Sequence, residues 1–442
     1  MTALRSRRSL VERRATDPDR RTIVLIRVLL GFEAVLYSVI TPVLPHYAHA
    51  FGASKPAIGV LAASYPAGMI PGSLLGAWIA TRAGVRRTTV VGLLLFTASI
   101  VAFGFASDIV ALDGLRFVQG MACGCVWGGG LAWVIAIAPR ERRGEVLGSV
   151  LASAIFGTLV GPVLGTAAVA TSTSVVFACV GGVAVALTAW TLQHPEPPRA
   201  ALGAGAPLRV LAKDPRIALG CWLILLEACT IGATGTLLPL RMSEFGASAV
   251  AIGMTFVVAS LLSLLVNPAI GRVADRRGVL LPLSIGLGAT AVLLLLLPVP
   301  RSPLPLAALI VVALGGPLSA FGLPAISIMT DAIERIGAAL AFGTMLFNLA
   351  WATGETIGAP AAASVSRATR DAVPLAALAA MMLVTLVPVL WSARVARARA
   401  LHHASEREQS GPPECEISSR PVRRWSRPAA GRRASRRESQ RR

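Results

Sequence analysis

Apolar stretches long enough to cross a lipid bilayer recur along the whole 442-residue sequence. A helix needs about 20 apolar residues to cross about 30 Å of hydrocarbon. With 55% hydrophobic and 14% charged residues, the chain is too apolar to fold around one water-soluble core. We therefore predict an all-α membrane protein with twelve transmembrane helices. The predicted spans are residues 23–44, 58–80, 88–106, 114–138, 147–170, 174–192, 217–239, 250–274, 280–299, 304–329, 338–363 and 372–394.

The 42 Lys and Arg residues, which give a net charge of +20, fall mostly on one side of this predicted bundle. If the N-terminus is cytoplasmic, the inside segments hold 35 of them and the outside loops hold 5, while Arg27 and Arg116 lie within spans. This asymmetry follows the positive-inside rule and predicts that both termini are cytoplasmic. Since topology accounts for the charge, we expect contact with anionic membrane lipid and no nucleic-acid partner.

The chain contains an internal duplication. Residues 31–84 align with residues 225–278 at a constant shift of 194, with fourteen identities and no gap. Glu33 then corresponds to Glu227, and Pro45 corresponds to Pro239. Two units that both start in the cytoplasm are parallel repeats, and a binding site is expected between them near the midplane.

The duplication and the charge pattern divide the chain into five parts. The segment between the halves contains HPEPP and GAGAP and is too polar and too interrupted to span a membrane. The C-terminal segment is rich in Arg, Ser and Pro without apolar periodicity, which is typical of disorder. The parts are a basic cytoplasmic N-terminus (1–22), a first six-helix bundle (23–192), a cytoplasmic linker (193–216), a second six-helix bundle (217–395) and a disordered basic cytoplasmic tail (396–442).

A glycine-bounded charged loop, GRVADRRG, spans Gly271–Gly278 after the eighth predicted helix. Its glycines allow two helix ends to approach, and Asp275 is placed to face a helix N-terminus or to pair with Arg276 in one conformation. The equivalent loop after the second helix is AWIATRAG, in which Thr81 replaces the acid. A charged latch is therefore expected in the second half only.

Two further motifs lie inside predicted spans. The fourth span contains LRFVQG (Leu115–Gly120), and the fifth contains GTLVGPVLGT (Gly157–Thr166). In the latter, Gly157 and Gly161 lie one turn apart and permit close helix packing, while Pro162 allows a kink. A partial copy, GETIGAP, occupies Gly354–Pro360 in the eleventh span.

With TPVLP at Thr41–Pro45, these elements resemble those of the major facilitator superfamily, and within it the twelve-helix drug:proton antiporters, which include multidrug and vesicular monoamine transporters. The resemblance covers about residues 23–394. It implies a monomeric, proton-coupled exporter of small lipophilic, often cationic, compounds that needs no cofactor. An Arg-rich, Lys-poor composition suggests a bacterial source, so the plasma (inner) membrane is the expected location.

Glu33 and Glu227 lie near the middle of the first and seventh spans, where an ionised carboxylate costs about 2.5 to 3.5 kcal/mol. The resemblance implies that these spans line the central cavity, so the two acids are expected to face each other across the substrate path. Burial and mutual repulsion favour the protonated form, as proton exchange requires. The alternative is a permanently protonated carboxyl hydrogen-bonded between helices.

Four more residues complete the predicted substrate and proton site. Arg116 either extends to the interface to pair with Asp113 or, as the RxxQG resemblance implies, tunes a nearby acid. Asp331 and Glu355 are candidate proton relays, although Asp331 is also placed to join the charges of its own loop. Among the aromatic residues, Tyr37 lies one turn from Glu33 and is the one we expect in a cation site.

Other functions use the same scaffold. They are efflux of a sugar or another neutral metabolite, and proton-coupled substrate uptake. A non-transporting receptor or a lipid-handling protein would not need the cavity acids. The sequence contains no Ser/His/Asp, Cys/His or metal-binding pattern among its five histidines, so we do not expect an enzyme or a metal site.

Overall fold

The computed structural model describes residues 17–138, 143–197, 214–336 and 340–409. These residues form fourteen α-helices and no strand. Helices α1 to α14 are Asp17–Ser38, Leu44–Ala50, Lys55–Ala83, Val85–Phe103, Ile109–Ile137, Arg143–Ala170, Thr173–Leu192, Pro215–Glu244, Ala249–Arg277, Leu280–Leu296, Pro303–Gly315, Pro317–Arg335, Leu340–Ala368 and Ala372–Gln409.

Nine segments of the described chain are long and apolar enough to cross a membrane. Eight of them belong to single helices, and the ninth joins α11 and α12. The other three predicted spans fall on α1, on α10 with its 17 residues, and on α13, none of which is among the nine. The all-helical membrane class is confirmed, and the number twelve stays a prediction.

Two predicted spans are interrupted in the structure. The span predicted at 304–329 consists of α11 and α12, because Gly316 breaks the helix and Pro317 has no N–H with which to continue it. The span predicted at 23–44 stops at Ser38, and the short helix α2 begins six residues later at Leu44. Both differences shorten the continuous helix without changing the order of the elements.

The C-terminal helix extends further than the sequence suggested. Helix α14 runs to Gln409, so residues 396–409 are helical in this structure where the sequence predicted the start of a disordered tail. The segment is rich in Ala, Arg, Glu and Gln, which all have high helix propensity. Residues 410–442 lie outside the described part of the chain, as do most of the predicted linker and the first sixteen residues.

Two hydrophobic clusters form the interior of the compact unit that ends at Trp391. The buried members of the first come from residues 25–187, with only Leu240 and Ala352 added from later in the chain. The buried members of the second come from residues 217–389. Each half of the duplicated sequence therefore builds its own core.

The backbone repeats the duplication as well. The described glycines with positive φ form two pairs separated by 194 residues, Gly52 with Gly246 and Gly84 with Gly278. Both pairs follow helix ends, where the left-handed conformation favours glycine. The same turns thus recur at equivalent positions of the two halves.

Glycines bring the helices into backbone contact within each half. Helix α6 packs on α1, and α13 packs on α8, through glycines that face backbone oxygens of the neighbouring helix. The partners on α1 and α8 are again separated by 194 residues, so the partial copy in the eleventh span repeats the packing of the fifth. The contacts are Gly157 with Gly31, Gly161 with Val35, Gly354 with Leu225, and Gly358 with Cys229.

Two seams join the halves, one between α3 and α13 and the other between α6 and α9. A Cβ at Gly59 would lie 2.9 Å from Pro360 Cα in the first seam. A Cβ at Gly253 would lie 3.2 Å from the backbone oxygen of Pro162 in the second. Gly59 and Gly253 are equivalent in the duplication, so the seams are related by the same pseudo-symmetry.

Candidate functional site

Glu33 lies in the middle of α1 with only 4% of its surface exposed. Its carboxylate accepts hydrogen bonds from the Tyr65 hydroxyl on α3 and from the Trp127 indole N–H on α5. Two donors on different helices satisfy a group that would otherwise be costly to bury. The Glu33 position, which is unusual for a membrane span, is therefore a polar site with defined hydrogen-bond partners.

The glycine of the RxxQG motif positions Tyr65. Gly120 lies against the backbone oxygen of Tyr65, and a Cβ there would also lie 3.0 Å from Met69 N. Because no side chain separates α3 from α5 at this point, the Tyr65 ring reaches between Glu33 and Arg116. Tyr65 thus contacts the acid through its hydroxyl and the base through its ring face.

Arg116 is 2% exposed and points into the protein. Its Nη1 donates to Leu36 O at 3.2 Å and to Gln119 Oε1 at 3.0 Å, and its Cζ lies 4.4 Å from the centre of the Tyr65 ring. Such stacking stabilises a desolvated guanidinium. Among the described residues Arg116 forms no ion pair with Asp113, so the interfacial alternative does not hold.

A hydrogen bond across the two halves joins Glu355 to this site. The Tyr37 hydroxyl on α1 donates to Glu355 Oε1 on α13, and Glu355 is 5% exposed. The rings of Tyr37 and Tyr65 lie 5.8 Å apart, which links this pair to Glu33. The cluster is defined as Glu33, Tyr37, Tyr65, Arg116, Gln119, Trp127 and Glu355 and is called the Glu33 cluster.

Three polar atoms of the Glu33 cluster are buried without a hydrogen-bond partner in the described chain. They are Arg116 Nε, Gln119 Nε2 and Glu355 Oε2. Buried polar groups are normally satisfied, so these three atoms keep hydrogen-bonding capacity that the described contacts do not use. The cluster therefore combines two acids, one base, aromatic faces and free hydrogen-bonding capacity.

Glu227 lies elsewhere. It is 8% exposed, and its carboxylate lies against Gly322 of α12, where a Cβ would leave it no space. Its described contacts include no member of the Glu33 cluster, and the acid of the second half that joins the cluster is Glu355. The expectation that Glu33 and Glu227 face each other across the substrate path stays a prediction.

The other predicted site residues form no described contact with the Glu33 cluster. Asp331, near the end of α12, is exposed, and so are Asp275 and Arg276. A Cβ at Gly271 or Gly278 would meet no atom within 4 Å. Among the described residues Asp275 forms no ion pair, and the expected latch stays a prediction.

Sequence reasoning ranked Tyr65 and Trp127 below Tyr37 and did not single out Gln119. Aromatic residues in membrane helices are common, so their spacing carried little information. Only the RxxQG motif could have indicated these residues. Gln119 belongs to the motif, and Gly120 of the same motif sets the position of Tyr65.

Comparison with known proteins places the fold. The family model described as Major Facilitator Superfamily matches residues 28–355 of the chain. Among curated relatives, the "MFS-type transporter ppzB" of Metarhizium rileyi is 30% identical over 161 residues, covering 33% of this chain and 31% of the relative. The "Uncharacterized MFS-type transporter YcaD" of Escherichia coli is 25% identical over 229 residues, covering 52% of this chain and 60% of the relative. The matches thus span 60% or less of these relatives' lengths.

Solved structures show the same architecture. The nucleoside transporter NupG matches with a TM-score of 0.67 at 13% identity, covering 85% of this chain and 98% of that one. A bacterial homologue of the human lysosomal transporter Spinster, in an inward-facing and unoccupied conformation, matches with a TM-score of 0.67 at 14% identity, covering 85% and 96%. At such identities the likeness concerns the fold alone.

Proposed function

We propose that this chain, which belongs to the Major Facilitator Superfamily, is a proton-coupled exporter of small lipophilic, often cationic, compounds. It is a multi-pass membrane transporter and not an enzyme. The finer proposal is a twelve-helix monomer in the bacterial inner membrane, with both termini in the cytoplasm. It works by alternating access of the two duplicated halves.

The observation that carries the proposal is the Tyr37–Glu355 hydrogen bond beside the buried Glu33 site. Two buried carboxyl groups, one in each half, share a cluster with aromatic rings and with Arg116. An acid in such a place binds either a proton or a cation, because a buried charge needs compensation. Because a proton and a cationic substrate exclude each other at one carboxylate, the transport of one is coupled to the transport of the other.

In the proposed cycle, a cationic substrate enters from the cytoplasm and compensates the ionised Glu33 or Glu355. The aromatic faces of Tyr37, Tyr65 and Trp127 bind its apolar and cationic parts. After the halves rock, a proton from the outside replaces the substrate on the carboxylate. Glu227 is a further proton carrier in this proposal, since it is a separate buried acid in the second half.

A panel assay in everted membrane vesicles tests the function. Lipophilic cations, neutral sugars and nucleosides are offered under an imposed proton gradient, and accumulation is compared with vesicles lacking the protein. Export of cations predicts accumulation that collapses when the gradient is dissipated. If no cation accumulates while a neutral compound does, the substrate class is wrong.

A polar neutral substrate is the second candidate. The unpaired Arg116 Nε and Gln119 Nε2 are hydrogen-bond donors of the kind that bind hydroxyl or carbonyl groups. NupG, which shares the fold, is a nucleoside transporter. In an exporter that exchanges substrate for protons, acidification weakens substrate binding. In uptake by proton symport, acidification strengthens substrate binding.

A further inference from the structure

One lysine of the first half lies between two acids of the second half. Lys55, at the start of α3, places its Nζ 3.0 Å from Glu244 Oε1 at the end of α8. The same Nζ lies 3.2 Å from Asp371 Oδ1, in the turn before α14. Among 42 basic residues the chain has two lysines, and this one joins its halves by charge.

Other groups of the second half fix the acid in place. Asp371 is 13% exposed in its side chain, its Oδ2 lies 3.6 Å from Arg241 Nη1, and it accepts a hydrogen bond from Ser366. Arg241 in turn donates from Nη2 to the backbone oxygen of Pro298 at 2.6 Å. Contacts within the second half thus hold the Asp371 carboxylate in position to pair with Lys55. Lys55, Arg241, Glu244 and Asp371 are called the Lys55 network.

The network lies at the end of the bundle where equivalent residues of the two halves meet. His49 Nε2 and Ser243 Oγ are 3.3 Å apart, and these residues are separated by 194 positions. Contact between equivalent residues places them near the pseudo-twofold axis. The Gly59 seam begins one turn from Lys55, so backbone contact and ion pairs hold the same end.

The other end of α9 has no such closure among the described residues. Asp275, Arg276 and Arg277 are exposed there, and no described ion pair joins their loop to the first half. Ion pairs between the described parts of the two halves are therefore confined to the Lys55 end.

We propose that the Lys55 network is a charge latch that holds the two halves together at this end, and that it must break for the central cavity to open there. The proposal rests on the alternating-access part of the proposed function. Lys55 is a positioning residue, since it touches neither the Glu33 cluster nor its guest. In the proposed topology this end faces the outside.

Cross-linking measures the opening directly. A His49→Cys/Ser243→Cys pair, in a background whose native cysteines are replaced, reports how often the two halves meet at this end. We compare oxidative cross-linking rates in three further backgrounds, Lys55→Gln, Lys55→Arg and Asp371→Asn. Arg301→Gln is the matched control, because this exposed arginine at the same end forms no described ion pair.

Loss of the latch is expected to slow cross-linking by about three- to tenfold in Lys55→Gln and in Asp371→Asn, the range for partly exposed, networked pairs. Lys55→Arg should restore most of the rate, and the control should leave it unchanged. Equal rates in all backgrounds would overturn the proposal, as would slowing by Arg301→Gln alone. The assay uses no substrate and no proton gradient, so its outcome is independent of whether the proposed export is correct.

Discussion

Replacing Glu33 with glutamine removes one buried charge site and changes almost no volume. Glutamine keeps one acceptor but presents an NH₂ group to the second of the two donors, Tyr65 and Trp127. One unmade hydrogen bond costs about 1 to 3 kcal/mol, which a protein of ordinary stability tolerates. The variant should therefore fold and insert.

The effect on coupling should be much larger. Two unit charges about 5 Å apart interact by about 3 kcal/mol at an effective dielectric constant of about 20. Losing that attraction weakens binding of a monovalent cation by roughly a hundredfold. The amide also binds no proton in the physiological range, so substrate and proton can no longer exclude each other at this residue.

The assay is efflux of a fluorescent lipophilic cation from proteoliposomes with an imposed pH gradient. Glu334→Gln is the matched control, because it makes the same chemical change at an exposed acid outside the cluster. Glu33→Gln should abolish gradient-driven efflux while Glu334→Gln retains it. Normal gradient-driven efflux by well-inserted Glu33→Gln would refute the role of this carboxylate.

Two further predictions follow from single contacts. Tyr37→Phe removes the hydrogen bond that joins Glu355 to the first half and is expected to reduce gradient-driven efflux by about tenfold with unchanged expression. Wild-type efflux would contradict the cross-half role of Glu355. Gly157→Ala places a Cβ against Gly31 O and should destabilise the detergent-solubilised protein by about 1 to 3 kcal/mol in thermal unfolding. Gly182→Ala, whose Cβ meets no atom within 4 Å, should not destabilise it, so equal losses in both variants would disprove the packing argument.

The sequence predicted the class of the fold because hydrophobic length and charge asymmetry are local properties of the chain. Burial of Glu33 and Glu355 could also be predicted, since each lies inside an apolar stretch, whereas the sequence left Arg116 between the interface and the interior. Their partners could not, because one sequence does not say which faces of two helices meet. Glu227 shows the limit, as its position in the duplication is equivalent to that of Glu33 but its neighbour is Gly322.

Helix continuity was predicted less well than helix position. Pro317 and Gly316 divide a stretch whose hydropathy alone indicates one span. Residues 396–409 differ in the other direction, since an Arg-, Ser- and Pro-rich composition without apolar periodicity predicted disorder and the structure has a helix.

The equivalent glycines of the two seams allow the two halves to be compared with each other within one molecule. Gly59 and Gly253 occupy the same place in the duplicated unit, yet one faces Pro360 and Ala363, and the other faces Pro162 and Thr166. The same substitution made separately at each glycine is thus a comparison within one chain, under identical lipid, expression and assay conditions. Any difference between the two variants measures how far the copies have diverged in the work they do during transport.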